Sequence, residues 1–522
     1  MFQELLKMIL EYFFQIILLL HVILLPTYIY LTWNFNYWQK RGLRSALPLT
    51  ILGSFPSILT RSRNLLYEID VIYRRYKHRC RMVGIYFLRQ PQIMVVDLRL
   101  AQEILDSNFS AFEMTAACSW MHLRNPNKLD KLALCSALWT TGEIWKCNRA
   151  VVSGALAQTR LKHSYDLCQA SCRHLKDFLL QKCIGAKPQV VETVDLVKRF
   201  AAAALCISIW GVNAGTLTNT KKKQNEFLLM TERATKQMSS LRNYSLLSAV
   251  MPFFWELWPF RLISRAVDNY FVQFTNDALE CHRELRNPSG LLDVLSLLYE
   301  RRHTGHMSDE ALTGYCMTML LDGFEDICSA LTYTLYYLAR DTRVQAKLRN
   351  ELLQTLRHEV CAEFSFETLS SLCYLDHCIF ETLRLSPTVK YCRRICSRAN
   401  VVQFSKSKSV QVDEGTLVCV PVYSFHHDPL IFCEPNSYIP ERYENVAPKE
   451  LMERRAFLPF GAGPRSCLGK DIAMLIMKSA IVAIITQFSI KTCAESQHSN
   501  NSGVDSFLLN LNEKLKLEFK KI

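Results

Sequence analysis

Between Tyr12 and Gln39 the chain carries no formal charge, and Ile16 to Leu25 is aliphatic except for His21. A helix of that length can cross a bilayer, although a buried core helix has the same composition. Trp33, Tyr37 and Trp38 close the stretch, and such residues favour the membrane interface. Lys40, Arg41 and Arg44 follow at once, whereas Lys7 on the other flank is balanced by Glu4 and Glu11. The positive-inside rule then predicts one span with everything after residue 40 in the cytosol. No small-residue cleavage site marks a removable signal.

Leu47-Pro48 to Phe55-Pro56 reads as extended, because residues ahead of proline avoid the helical region. Met82 to Leu88 and Gln92 to Val96 flank Arg89-Gln90-Pro91 and predict a hairpin. Helical spacing then dominates. It runs over Leu98–Leu105, Tyr165–Leu180, Val191–Trp210, Phe227–Met238, Phe271–Leu285 and Ile472–Ile485, an apolar run that reads as a buried helix. Ser308-Asp309-Glu310 is a helix start, followed by a long apolar helix to about Tyr337 that Leu321-Asp322-Gly323-Phe324-Glu325-Asp326 interrupts. Strand-like sequence returns at Val401–Val420 and at the C-terminus. The aromatic cluster in Met251–Ile263 suits either core or a membrane surface.

A length of 522 residues suggests two to four domains. No linker, repeat or low-complexity block divides the chain after its N-terminus, so we expect an anchor over 1–38, a basic, proline-bearing linker over 39–60 and one catalytic domain over 61–522. Hydrophobic residues make up 49%, enough for a large core. The 20 cysteines are scattered, with neither zinc-ribbon spacing nor a disulfide framework. All but one read as reduced small hydrophobes in the cytosol, where the sequons at Asn108, Asn243 and Asn500 stay unglycosylated. A net charge of +14 fits an anionic membrane or an acidic protein. The basic residues are dispersed and no nucleic-acid motif accompanies them, which argues against nucleic-acid binding.

The candidate chemistry centres on Phe460-Gly461-Ala462-Gly463-Pro464-Arg465-Ser466-Cys467-Leu468-Gly469. A thiol at a helix start faces the positive end of the dipole, so its thiolate is expected to be favoured. Gly461, Gly463 and Gly469 allow tight turning and close approach to a flat partner. Arg465 is placed to meet a carboxylate on that partner. The bland alternative is a buried structural cysteine after a turn. A thiolate under a planar, carboxylate-bearing ligand is the arrangement of axial haem ligation.

The spacing of Phe460, Gly463, Arg465, Cys467 and Gly469 resembles the haem loop of the cytochrome P-450 monooxygenases. The resemblance extends over nearly the whole chain, and the local wording is most similar to insect members related to detoxifying enzymes. It implies a mainly α fold with smaller β-sheet regions, a triangular helix-rich α+β domain behind one transmembrane helix. It also implies haem b, with Cys467 as axial ligand of the iron. Trp145 and Arg149 match the family's W-x-x-x-R, whose i, i+4 spacing puts both on one helical face. With Arg394 and Arg465, and more weakly His426, they are implied as propionate contacts. Glu381 and Arg384 match E-x-x-R, and Arg442 is implied as the third member of a structural ion-pair network.

The oxygen side departs from the pattern. The family's distal helix carries small residue, Gly, any residue, acid, Thr. Gly323 and Glu325 fit it, but Asp322 stands at the small residue and Asp326 at the threonine. An ionised Asp326 only accepts hydrogen bonds, where a hydroxyl also donates. Asp322, Glu325 and Asp326 share one face by their spacing, and crowded, partly buried carboxyls raise at least one pKa. We therefore expect these three to handle protons, with Asp326 protonated when it donates. A solvated acidic face is the competing reading, and the apolar flanks argue against it.

The resemblance implies a microsomal enzyme of the endoplasmic reticulum. It would insert one atom of O2 into a small lipophilic substrate (xenobiotic, hormone or fatty acid). NADPH would supply electrons through a flavoprotein reductase, with cytochrome b5 as a further partner, and the basic cysteine side would dock the reductase. A peroxide isomerase or dehydratase needing no reductase, and a haem-bearing binding protein with little turnover, are the other readings. By resemblance, substrate contacts fall at Ser110–Leu123, Trp210, Tyr244–Val250, Met317–Glu325, Pro387–Arg393 and Ser506–Leu508.

Overall fold

A computed structural model describes residues 2–522 except 58–64, 116–131, 158–159, 186, 219–224, 251–260, 262, 285–292, 304–306, 358, 360–362, 406–407 and 498–514. The N-terminal helix Phe2–Thr32 meets the body near its end, where the Arg89 guanidinium lies 3.7 Å from the centre of the Tyr30 ring, and its Leu6–Thr32 segment has a mean hydropathy of 2.3 with none of it buried. It is long and apolar enough to cross a membrane. The span ends earlier than the charge-free stretch suggests. Tyr37–Lys40 is a separate short helix, and Trp38, expected at the interface, is wholly buried in the body. Its indole fills the groove above Gly84, where an added Cβ would lie 2.4 Å from Trp38 Cδ1. Tyr37 is likewise tied down, donating its hydroxyl to Asp413 at 2.6 Å.

The body is mainly helical with three small sheets, the mainly-α architecture expected from the sequence. Strands β1 (Met82–Phe87) and β2 (Gln90–Val95) form the expected hairpin. Its turn tightens to Leu88-Arg89, so Pro91 sits within β2, opposite Tyr86. The sheet continues through β8 (Leu417–Val420) and β5 (Cys392–Ile395) to the short β3 (Met114–Thr115), in the order β1-β2-β8-β5-β3. Strands β4 (Gln189–Glu192), β9 (Phe488–Thr492) and β10 (Lys516–Lys521) make a second sheet, with β10 central. Strands β6 (Asn400–Ser405) and β7 (Lys408–Val412) pair alone.

Two buried helices carry the site. Lys470–Ile485 buries every residue from Met474 to Ile485, as its largely apolar sequence demands, and its buried Lys478 pairs with Asp376 at 3.0 Å. Asp309–Arg340, the distal helix, starts where Ser308 Oγ accepts the Ala311 N–H at 3.2 Å. It runs without a break through residues 321–326, so the expected interruption is absent. An α-helix accommodates the acids there, because Asp322 and Asp326 leave it on a side already open to a cavity. Helix Thr193–Trp210 packs along one flank of the distal helix, and Cys373–Leu385 along another.

Candidate active site

Glu381 and Arg384, one helical turn apart, are wholly buried and joined by two bonds of 2.9 Å. Arg442 adds contacts of 3.0 and 3.1 Å to the same carboxylate, and the Ile439 N–H a fourth donor at 3.0 Å. The remaining N–H groups of Arg384 reach the carbonyls of His426, Pro435 and Ser437. Every oxygen of the buried carboxylate is thus matched by donors, which is what a buried ion pair needs. His426 is part of this framework and does not line the cavity. It is fully buried, burial holds its imidazole well below the ordinary pKa, and its Nε2 accepts the Leu458 N–H at 2.8 Å. A neutral ring accepting through Nε2 is not a donor to a carboxylate there.

Leu458 leads into the cysteine loop. Gly461 and Gly463 both have positive φ, at 68° and 70°, where non-glycine residues are strained. At Gly463 an added Cβ would lie 1.9 Å from the Leu105 carbonyl oxygen, so this glycine permits close packing against protein. Gly469 needs neither freedom. It has φ −88° and space for a Cβ 3.7 Å from Ile472. The Cys467 N–H donates to the Phe460 carbonyl at 2.9 Å, and the Phe460 ring lies 5.8 Å from Lys470 Nζ.

Cys467 faces a cavity of about 440 Å³. The thiol is accessible from that chamber, yet the surrounding protein desolvates it and pushes its pKa up to about 11. The expected thiolate is therefore not favoured by the protein alone. The helix begins three residues later, at Lys470. Desolvation and the charges of Asp326 and Asp322 outweigh the Gly469 N–H and Arg149. A bound metal ion would reverse this balance by deprotonating the thiol.

Around the thiol lies a cationic rim. Arg149, in helix Gly142–Ala155, donates to the Ser466 carbonyl at 3.1 Å. Arg465 donates to the carbonyls of Glu113, Ala137 and Thr140 at 3.1, 2.8 and 2.9 Å, and its guanidinium lies 4.3 Å from the centre of the Trp145 ring. Arg394, on β5, is buried and also lines the cavity. The Trp145 Nε1–H is buried without a hydrogen-bond partner among the described residues.

Across the cavity stand Asp322 and Asp326 on the distal helix. Both carboxyls are exposed to the cavity, but the protein around them desolvates them, the main cause that raises Asp322 to about 7 and Asp326 to about 6. Ser136 Oγ–H opposes the shift at Asp322, donating to Oδ2 at 3.1 Å, and Lys390 opposes it at Asp326. Glu325 departs from the one-face expectation. It does not line the cavity, although its charge helps to raise Asp326. At 3.6 residues per turn Glu325 lies about 60° from Asp322 and about 100° from Asp326, on the side away from both, which takes it past the edge of the cavity.

Of the expected substrate contacts, Thr115, Thr318, Met319, Asp322, Gly323 and residues 388–393 other than Lys390 line the cavity. Residues 116–123 and 506–508, the side chains of 244–250, and all the cluster residues 251–260 lie outside the described residues. Trp210 is a correction. It packs among Phe227, Phe271 and Phe274, and donates to Thr275 at 3.0 Å. Leu205 and Ile209 of the same helix line the chamber instead. Their i, i+4 spacing was a usable signal, although helix Thr193–Trp210 carries no charged residue beyond Arg199 to mark one face. Val152, Leu156, Ala137 and Leu138 were also missed.

The cytochrome P450 family model matches residues 44–519. The chain belongs to the cytochrome P-450 family. A Drosophila melanogaster protein named "Probable cytochrome P450 309a2" is 37% identical over 474 residues, covering 91% of this chain and 87% of its own. "Probable cytochrome P450 309a1" from the same organism is 35% identical over 506 residues, covering 97% and 98%. "Cytochrome P450 6j1" of Blattella germanica is 26% identical, with 90% of each chain covered. Membership makes this P-450 an oxidoreductase of the monooxygenase type, with haem iron as cofactor and O2 as co-substrate. A lipophilic substrate and a redox partner come with the family.

The cavity fits haem on its own chemistry. A thiol stands at one wall, apolar side chains such as Leu156, Ile472 and Met477 offer a non-polar surface, and three guanidinium groups suit two carboxylates. The unmatched Trp145 donor sits beside Arg465.

Proposed function

We propose that this protein is a membrane-anchored, NADPH-dependent monooxygenase of the endoplasmic reticulum, acting on small lipophilic compounds with electrons from a flavoprotein reductase. The observation that carries the reading is the pairing, in one apolar-walled cavity, of the Cys467 thiol with two acids poised near neutrality. Helix Phe2–Thr32 and the basic residues after it support the anchor and the cytosolic face. The net charge of +14 supports docking of an acidic partner, with cytochrome b5 as a second donor.

Haem bound at Cys467 supplies the oxygen activation, to which the thiolate contributes electron density. Cys467 gives up its proton on binding. Arg149, Arg394, Arg465 and Trp145 would hold the two carboxylates and set the orientation of the ring. Glu381, Arg384 and Arg442 position the loop and take no part in proton transfer. Asp326, whose charge acts on Cys467 more strongly than that of Asp322, would hold a proton at its carboxyl and donate it into the cavity. With a pKa of about 6 it is poised to release and regain that proton near neutrality. Leu205, Ile209, Met319 and Val389 exclude water and favour an apolar substrate.

Co-expression with a reductase, a reduced carbon-monoxide spectrum and a product screen of lipophilic compounds test this reading. The expected result is a thiolate-type spectrum together with NADPH-dependent oxygenated products. Turnover of a lipid hydroperoxide without NADPH, and no oxygenation with it, would overturn it in favour of an isomerase.

A further inference from the structure

The wall of the chamber facing Cys467 is apolar but for Thr318, whose hydroxyl donates to the Gly314 carbonyl at 2.8 Å, and two acids. Leu205, Ile209, Met319, Ile327 and Ala330 surround Asp322 and Asp326, which are the only acids among its described lining residues. None of the cations lining the chamber pairs with Asp322: the groups that act on its charge are Ser136 and Asp326, whereas Lys390 acts on Asp326.

The two acids differ in how they are held. Asp322 is fixed from behind by Ser136 Oγ–H on its Oδ2. Behind it lies a second, water-sized pocket of about 10 Å³, lined by Ser136, Trp139, Thr318 and Asp322 among others. Trp139 is buried there, and its Nε1–H has no hydrogen-bond partner among the described residues. Asp322 and Thr318 line both spaces. The Ser136 hydroxyl therefore holds the Asp322 carboxyl from the side of the small pocket, and its other side belongs to the main chamber. Asp326 has no such backing and acts more strongly on the thiol.

A carboxyl anchored from behind in an apolar chamber is a receptor for a cation. Burying a lone carboxylate is costly, and a partner cation removes most of that cost. A metal ion is a poor candidate, since no group of three or more His, Cys, Asp or Glu residues among the described residues could hold one. An apolar body carrying a positive nitrogen matches both the acid and its surroundings. We propose that Asp322 binds the positive nitrogen of the substrate, so that the preferred substrates are lipophilic amines carried as cations. This rests on the monooxygenase reading for the use of the cavity, and it assigns Asp322 a different role from Asp326. Asp322 selects and orients the substrate, while Asp326 handles the proton.

The test uses the full-length haem protein and a matched pair of probes, benzyltrimethylammonium and its neutral isostere neopentylbenzene. The quaternary nitrogen has no lone pair and cannot ligate iron, so any preference reports the protein wall. Equilibrium dialysis should show the cation binding at least about tenfold tighter than the isostere, a difference of about 1.4 kcal/mol. In Asp322→Asn the preference should collapse through loss of cation affinity, with the isostere unchanged. Asp322→Glu should retain it. Equal affinities in the natural protein, or a preference that survives in Asp322→Asn, would overturn the proposal. The wild-type comparison decides even if the variants fail to fold. A reduced carbon-monoxide spectrum on the same samples reports the haem-thiolate reading separately, so the two can fail independently.

Discussion

His426 Nε2 accepts the backbone N–H of Leu458 at 2.8 Å, and this bond joins the buried ion-pair network to the cysteine loop. Arg384 holds the His426 carbonyl at 2.8 Å, while Leu458 itself accepts the Gly461 N–H at 3.2 Å. From Glu381 to Gly461 the chain of contacts is continuous, so damage at one end should be felt at the thiol.

His426→Leu leaves the buried Leu458 N–H without an acceptor, which costs about 1–3 kcal/mol. We expect a lower denaturant midpoint and faster haem loss on gel filtration. His426→Gln, whose side-chain carbonyl can accept, should lose less. Glu381→Ala removes the shared anion from two arginines and should cost about 3–5 kcal/mol, enough to abolish stable haem incorporation.

The cysteine loop makes a second contrast. Gly463→Ala forces a Cβ to within 1.9 Å of the Leu105 carbonyl at a φ of 70°. Backbone must shift, and the yield of folded haem protein should fall sharply. Gly469→Ala meets nothing closer than 3.7 Å and has an ordinary φ. Its thermal midpoint should stay close to that of the natural protein. Equal damage from both changes would show that glycine at 469 serves the cofactor directly.

These contrasts also mark what the sequence could reveal. Motifs that act within one or two turns were legible: Cys467 in its loop, Glu381 with Arg384, and Ser308 capping the distal helix. Features set by distant segments were not. Nothing near Gly463 points to the Leu105 carbonyl, and nothing near Trp38 points to Gly84. The environment of the Cys467 thiol depends on a chamber that many elements line, so the local dipole argument failed there. Trp210 and Ile209 are adjacent on a helix whose charged residues all lie in its first two turns, and only packing shows which of them meets the cavity.

Asp326 yields a prediction about coupling. Asp326→Asn keeps the shape but removes the titrating proton, so hydrogen-peroxide release per NADPH consumed should rise several-fold. The pH–rate profile should lose its limb near 6. Asp326→Thr restores a hydroxyl donor and should leave coupling little changed. A large fall in peroxide release in that variant would show the aspartate to be a poor substitute for the hydroxyl.

Asp322 also gives a stability test whose sign is fixed by linkage. Its folded pKa of about 7 lies above the ordinary 3.8, so the folded state favours the protonated form. The stabilisation from that proton is complete below about 4 and is lost as pH rises through 7. Asp322→Asn removes the burden of the desolvated charge. Its thermal midpoint should exceed that of the natural protein at pH 8, with the gain vanishing by pH 4. A gain that persists unchanged in acid would mean the carboxyl titrates normally.

The junction between anchor and body gives the last test. Trp38 is wholly buried, its indole N–H points to the Ile85 carbonyl at 3.4 Å, and the Leu43 N–H returns to the Trp38 carbonyl at 3.0 Å. A tryptophan so placed behaves as core, and Trp38→Ala should cost about 3–5 kcal/mol in denaturant unfolding. Deleting residues 2–32 spares it, and that shortened protein should fold and give the spectrum of the full chain. Starting instead at residue 39 removes the indole that fills the Gly84 groove, and the denaturant midpoint should drop as far as in Trp38→Ala. If both truncations unfold alike, the indole contributes nothing to the body. If the shorter deletion alone is destabilised, helix Phe2–Thr32 supports the fold as well as anchoring it.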